Sequence, residues 1–136
     1  MSNLRLAVNL RNARANAITT FVGGSCIIKL FSGTQPATGG SETTLLAQLT
    51  GNATFAPSAS GGVLTLNSIT AASSAAATGT ATWFRIYQSN GTTHCLDGDV
   101  STLAAATGDL QLDNTGIVLG GTVALGGPNT FTEANA

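Results

Sequence analysis

His94 is the single histidine of the chain, so histidine-based proton transfer or metal ligation has to pass through it. Cys95 stands beside it, but neighbours on a strand point to opposite faces and do not readily share one zinc. With no second histidine and no CxxC pair, a zinc site lacks ligands. A Ser-His-Asp arrangement is permitted by composition alone, because no GxSxG elbow supports it. The simpler expectation is a half-buried hairpin histidine next to Asn90-Gly91. Asp97, Asp99, Asp109 and Asp113 gather four of the six acids into one 17-residue stretch. Calcium uses carboxylates gathered in loops, but the EF-hand pattern is missing and Asp-Gly is equally a turn pair. Calcium stays open beside the default of turn chemistry. Glycoside hydrolysis would need an acid in a dry pocket, and nothing in the sequence points to one.

Gly23-Gly24, Gly39-Gly40, Gly61-Gly62, Gly120-Gly121 and Gly126-Gly127 are scattered pairs, without the GxxxxGK[ST] or GxGxxG patterns that cradle phosphate. They read as turns or places of close backbone approach. Asn52-Ala-Thr54 and Asn90-Gly-Thr92 match the N-glycosylation triplet, as a Thr-rich chain does by chance. Arg5, Arg11 and Arg14 supply three of the five cations within the first 14 positions. They read either as a solvated helix face or, together with Leu6, as an N-terminal arm that docks on a partner. The site residues expected are therefore docking residues Arg5, Leu6, Arg11 and Arg14, with no catalytic, cofactor or metal residue.

These residues must be positioned by short elements. Leu4, Leu6, Val8 and Leu10 alternate as a strand does, while Leu6, Leu10, Ala13, Ala17 and Phe21 recur as one helix stripe. We expect an extended start and then a helix of about two to three turns, ending near Gly23-Gly24. Short β runs follow: Ser25 to Phe31, Thr44 to Thr50, Gly62 to Ile69 and Thr80 to Gln88, with 71–78 as a small-residue connector. In the strongest run Trp83, Arg85 and Tyr87 share one face, and Phe84 and Ile86 the other. Trp83, Phe84 and Ile86 are the expected core residues. Asn90-Gly91 predicts a type I′ hairpin joining this run to Thr92 to Leu96. Asp109 to Leu112, Gly116 to Leu119, Gly121 to Leu125 and Asn129 to Glu133 complete the series. The expected fold is all-β: an antiparallel jelly-roll-like sandwich of about eight short strands with a short N-terminal helix or arm. One domain spans 1–136, with arm or helix in 1–22 and sandwich in 23–136.

Composition narrows the function classes. The chain has 136 residues, a formal charge of -1, 8% charged and 43% hydrophobic residues. A near-neutral chain cannot neutralise many phosphates or hold to an anionic membrane, so nucleic acid and membrane are not expected partners. No apolar stretch is long enough to span a bilayer, and no secretion signal is seen. Cys26 and Cys95 read as free buried thiols. Monomeric surfaces usually carry about 25–35% charged residues. The sparse charge here points to a surface covered by other protein, including a second copy as a homodimer.

The segments LRLAVNLRNARANAI, IIKLFSGTQPA, TLLAQLT, TGTATWFRIYQSNGT, LDGDV and GDLQLDNTGIVLGGTVAL follow in that order. Together they resemble small virion structural proteins of tailed bacteriophages, over nearly the whole chain. Size and expected fold are similar to the jelly-roll capsid cement, or decoration, proteins known from Bordetella phage. The resemblance implies a structural role without catalysis or cofactor, the major capsid protein as partner, and a place on the outer capsid surface after assembly in the host cytoplasm. Competing expectations are a tail, baseplate or fibre-associated module, and a carbohydrate-binding sandwich. The last would need exposed aromatics in a groove, and Trp83 and Tyr87 suit a core better.

Overall fold

The computed structural model describes residues 4–126 and 129–132. Among the described residues the chain is a sheet-rich fold with one helix, α1 (Val8–Val22). No Gly or Pro interrupts α1, its N-cap Ala7 is extended (φ −61°, ψ 149°), and it stops at Gly23. There φ is +72°, a conformation glycine takes without strain, and the Gly23 amide donates to Thr19 O. At 15 residues the helix is longer than expected and starts earlier, so Val8 and Leu10 are helical rather than extended. The local alternation fitted both periods, and the bond made by Asn12, described below, fixes the first turns as helix.

Nine strands follow: β1 (Ile27–Ser32), β2 (Thr44–Thr50), β3 (Val63–Thr65), β4 (Gly79–Thr80), β5 (Trp83–Tyr87), β6 (His94–Thr102), β7 (Leu110–Leu112), β8 (Gly116–Ile117) and β9 (Thr130–Thr132). Five form one sheet in the order β2-β1-β5-β6-β7, and two ribbons pair β3 with β9 and β4 with β8. The expectation of a wholly antiparallel arrangement is corrected at β6 and β7, which run parallel with Val100 beside Leu110. The connection is short because it folds tightly back. Ser101 Oγ accepts from the amides of Thr107 and Gly108, and a Cβ on Gly108 would lie 2.6 Å from Ser101 N.

Several expected strands shorten where their backbone groups find other partners. Leu66 N still bonds to Asn129 O in the register of the β3–β9 pair, and the chain then leaves the ribbon, because Asn67 N bonds to Phe55 O. The turn closed by Gly121 N and Val118 O ends β8 early, and the 121–125 run makes only isolated bridges at Val123 and Leu125. Gly127 and Glu133, at the ends of two sequence expectations, lie outside the described residues. The Asp97-Gly98-Asp99 turn is also corrected: these residues are the interior of β6. Gly98 faces Phe84 across the pair, and a Cβ there would sit 2.6 Å from its ring.

The hairpin between β5 and β6 exists, but it is not type I′. Only Gly91 has positive φ, and the loop closes with Gln88 N to Thr93 O. Asn90 keeps a negative φ because its Oδ1 accepts from the amides of Thr92 and Thr93. One core cluster joins α1, the sheet and the β3–β9 ribbon through Ala15, Val22, Ile28, Leu30, Phe84 and Ile86, with Phe131 packed against it. The outer edge of β2 is bonded by the amides of Thr70 and Ala76, and that of β7 by the amide of Gly126. Both sheet edges are therefore partly occupied by the chain itself.

Candidate docking face

The helix sits on the core by an unusual face. Ala15 and Val22 are buried and Ile18 packs beside them, but the anchoring atoms are polar. Asn12 Oδ1 accepts from Gly62 N and Asn16 Oδ1 from Ala59 N, both at 2.7 Å. Gln88 Nε2 ties down the far end by donating to Phe21 O at 2.6 Å. At 100° per residue, Leu10, Ala13, Ala17 and Phe21 share an arc of about 80° on the opposite side. Leu10 is 50% and Phe21 52% exposed, and both alanines are exposed as well. The apolar stripe legible in the sequence is thus the outward face of the helix. The reason is that the asparagine carboxamides satisfy loop amides that no leucine could. A groove of about 230 Å³ runs between this stripe and β6, with Arg14, Phe21, Cys95 and Leu96 on its walls.

The docking residues expected from sequence are spread around this helix rather than along a separate arm. Arg5 is exposed in the lead-in, Leu6 half-buried, Arg11 half-buried on the core side and Arg14 exposed beside the groove. The reading of residues through Arg14 as an arm outside the folded unit is corrected, since Val8 onward is helix bonded to the domain at Gly62. Asn12 and Asn16 were not singled out from sequence. Their i, i+4 spacing on one helix face was the available signal.

The face of the sheet turned away from the main cluster holds a polar and aromatic ladder. Trp83 stacks on Phe31 with centroids 4.3 Å apart and donates through Nε1 to Thr43 Oγ1. Arg85 grips Asp97 with two bonds, Nε to Oδ1 at 2.7 Å and Nη2 to Oδ2 at 3.1 Å, and both side chains are buried. His94 Nε2 lies 2.9 Å from the same Oδ1. Tyr87 Oη and Lys29 Nζ both donate to Glu42. Phe84 and Ile86 face the main core, whereas Trp83 is buried in this second cluster.

Burial alone would raise the Asp97 carboxyl, but the bonds from Arg85 and His94 outweigh it and hold it low. Glu42 is lowered likewise, its desolvation overcome by Tyr87 and Lys29. The bidentate bond to Asp97 holds the Arg85 guanidinium firmly protonated. A histidine against a carboxylate is the orienting half of a nucleophile-activating set. Among the described residues, however, the His94 side chain hydrogen-bonds to Asp97 alone, and Asp97 is already spent on Arg85. This ladder fixes strand register; it does not present a reactive group.

The remaining acids do not converge. The β6–β7 register sets Asp99 beside Asp109, whose Oδ2 accepts from Asp99 N at 3.2 Å, and Asp113 follows β7. Among the described residues no group of three or more His, Cys, Asp or Glu could hold a metal ion. Cys26 and Cys95 are free thiols, and burial pushes Cys26 up to about 11 and raises Cys95 as well. Asn52 and Asn90 of the two Asn-x-Thr triplets each accept from the backbone amide two residues on, the geometry of an Asx turn. No protein-family model, curated protein or solved structure matches this chain.

Proposed function

We propose that this chain is a non-enzymatic bacteriophage cement, or decoration, protein that binds the outside of the major capsid protein lattice and stabilises the shell against the pressure of the packaged genome. The observation that carries the reading is the orientation of α1, which turns asparagines to its own core and leaves Leu10, Ala13, Ala17 and Phe21 in water. Seating that stripe on a partner removes apolar surface from water at roughly 25 cal/mol per Å². With only 8% charged residues, little surrounding charge has to be desolvated when it docks. Each contact need only be modest, because a second contact on a repeated lattice forms at high effective concentration. Within this reading the five-stranded sheet and the β3–β9 ribbon are the two layers of a jelly-roll-like sandwich. Trp83 is 1% exposed and Tyr87 9%, so neither lines an open sugar-binding groove.

The test is particle assembly with the wild-type chain and with Leu10→Asp plus Phe21→Asp. The expected result is wild-type density on the outer shell by cryo-electron microscopy, and a variant that folds but is missing from particles. Particles lacking the chain should release their genome at lower temperature. Density on the tail supports the tail or baseplate alternative, and undiminished incorporation of the variant overturns α1 as the docking face.

A further inference from the structure

We propose that Asn90 is a site of spontaneous modification, an intramolecular deamidation that the closed β5–β6 hairpin holds off and opening of its tip releases. Asn90 is the one asparagine of the chain followed by glycine. Glycine has no side chain to shield its backbone nitrogen, so at this pair the nitrogen can reach the preceding carboxamide. Asn90 is exposed at the tip of the loop. The turn needs both residues: Gly91 has a φ of +74°, which favours glycine, and Asn90 Oδ1 caps the amides of Thr92 and Thr93. The residues that close the loop are therefore the ones that can react.

The reaction consumes only water, and nothing is oxidised or reduced. Gly91 N gives its proton to hydroxide and attacks Asn90 Cγ. The N–Cγ bond forms, the Cγ–Nδ2 bond breaks, and ammonia leaves with a proton returned from water. Water then opens the five-membered imide. Addition at Cγ leaves an ordinary aspartate, whereas addition at the residue 90 backbone carbonyl routes the main chain through the side chain as isoaspartate.

The folded loop withholds each reacting atom. Gly91 N donates to Gln88 O at 2.9 Å. Asn90 Oδ1 sits on the Thr92 and Thr93 amides at 2.9 and 3.0 Å, and Nδ2 donates to Thr93 Oγ1 at 2.7 Å. A carboxamide held by three bonds cannot turn Cγ into the aligned approach, at roughly 3–3.5 Å, that bond formation needs. Reaction waits on opening of the tip, and its rate is the unfolded-chain rate scaled by the fraction of time spent open.

The two products differ in consequence. Aspartate keeps an oxygen for the Thr92 and Thr93 amides. Isoaspartate adds a backbone carbon before residue 91, so the Gln88 N–Thr93 O and Gly91 N–Gln88 O bonds no longer close together. Gln88 stands at the base of this loop, and its Nε2 holds Phe21 O at 2.6 Å. Damage at the tip therefore reaches the last turn of α1. This chemistry belongs to the free chain and stands apart from the capsid reading.

The test is mass spectrometry of the proteolysed full chain after incubation in mildly alkaline buffer, folded or unfolded in guanidinium chloride, with fragment ions locating each amide-to-acid mass change. Asn90 should convert at least about tenfold more slowly in the folded chain. In guanidinium it should convert well ahead of Asn52 and Asn114, which are followed by Ala53 and Thr115. Thr93→Val removes the Nδ2 acceptor and should raise the folded rate roughly two- to tenfold without changing the rate in guanidinium. Thr93→Ser, which keeps the hydroxyl, should stay at the wild-type rate. In the purified isoaspartate form, hydrogen exchange should quicken at the Gly23 amide that closes α1 on Thr19 O. Equal folded and unfolded rates overturn the proposal, as does conversion of Asn90 no faster than Asn52 and Asn114 in guanidinium. A faster folded rate overturns it too, since the Thr92 and Thr93 amides would then be acting as an oxyanion hole. The wild-type comparison decides the matter even if Thr93→Val fails to fold.

Discussion

Rotating α1 by half a turn would exchange its two faces, and stability measurements distinguish the two settings. Were Leu10 and Phe21 buried, replacing them would cost about 2–5 and 3–5 kcal/mol, as large core deletions do. At about half exposure, Leu10→Gln with Phe21→Gln should cost no more than about 1 kcal/mol each. The asparagines carry the opposite expectation. Removing the Asn12 or Asn16 carboxamide leaves the Gly62 or Ala59 amide without its acceptor, a loss of about 1–3 kcal/mol. Alanine's better helix propensity returns roughly 0.6 kcal/mol of it. Asn12→Ala with Asn16→Ala should therefore cost about 1–5 kcal/mol in total and lower the midpoint by on the order of 10 °C. Urea and thermal unfolding followed by circular dichroism give the values, and hydrogen exchange should quicken at the Ala59 and Gly62 amides. A Leu10/Phe21 variant that loses 4 kcal/mol or more beside an unaffected asparagine variant would refute the helix orientation and with it the docking face.

Three further outcomes follow from the sheet. Asp97→Ala strands the Arg85 guanidinium and should cost about 3–5 kcal/mol in urea unfolding, whereas Arg85→Met with Asp97→Leu should stay within about 1 kcal/mol of wild type. Asp97 and Glu42 are both held below the ordinary carboxylate range, so their stabilisation is fully present above about pH 4 and lost as pH falls through the folded-state values. Asp97→Asn with Glu42→Gln should then flatten the acid limb of a stability-versus-pH curve, and an unchanged limb would count against the ladder. Gly98→Ala drives a methyl into the Phe84 ring and should cost about 1–3 kcal/mol, partly relieved by Phe84→Leu in the same thermal scan.

What the sequence made legible depended on whether a residue's partner was local. Thr44 to Thr50 is a short apolar run between Gly-rich and Pro-containing loops, and β2 has those same bounds. Trp83 to Tyr87 was equally plain, since five large residues in a row leave little choice but a strand covered on both faces. The helix was legible as a helix but not in its rotation. Hydrophobic periodicity points leucines inward, and only the distant amides of Ala59 and Gly62 explain why the asparagines won. Asp97-Gly98-Asp99 looked like a turn because its strand partners, Arg85 and Phe84, lie 12 and 14 positions earlier. The parallel β6–β7 pair was hidden for a similar reason. Its tight return is held by one serine hydroxyl, which has no sequence signature.

The pairing of β3 with β9 sets a schedule for synthesis. Val63 pairs with Thr132, and the Phe131 ring stands 6.3 Å from those of both Phe55 and Phe84. Four of the five sheet strands are complete once Thr102 has been made, but the layer that covers Phe84 is still thirty residues away. At about 5–20 residues per second the ribosome takes roughly 2–6 s to supply it. During that interval the nascent sheet presents bare aromatic rings and a β7 side not yet bonded by Gly126, however fast its strands find each other. Translation speed, more than folding speed, governs how long the chain is open to aggregation. Slower production at low temperature lowers the concentration of these half-covered chains, and that concentration sets how often two of them meet.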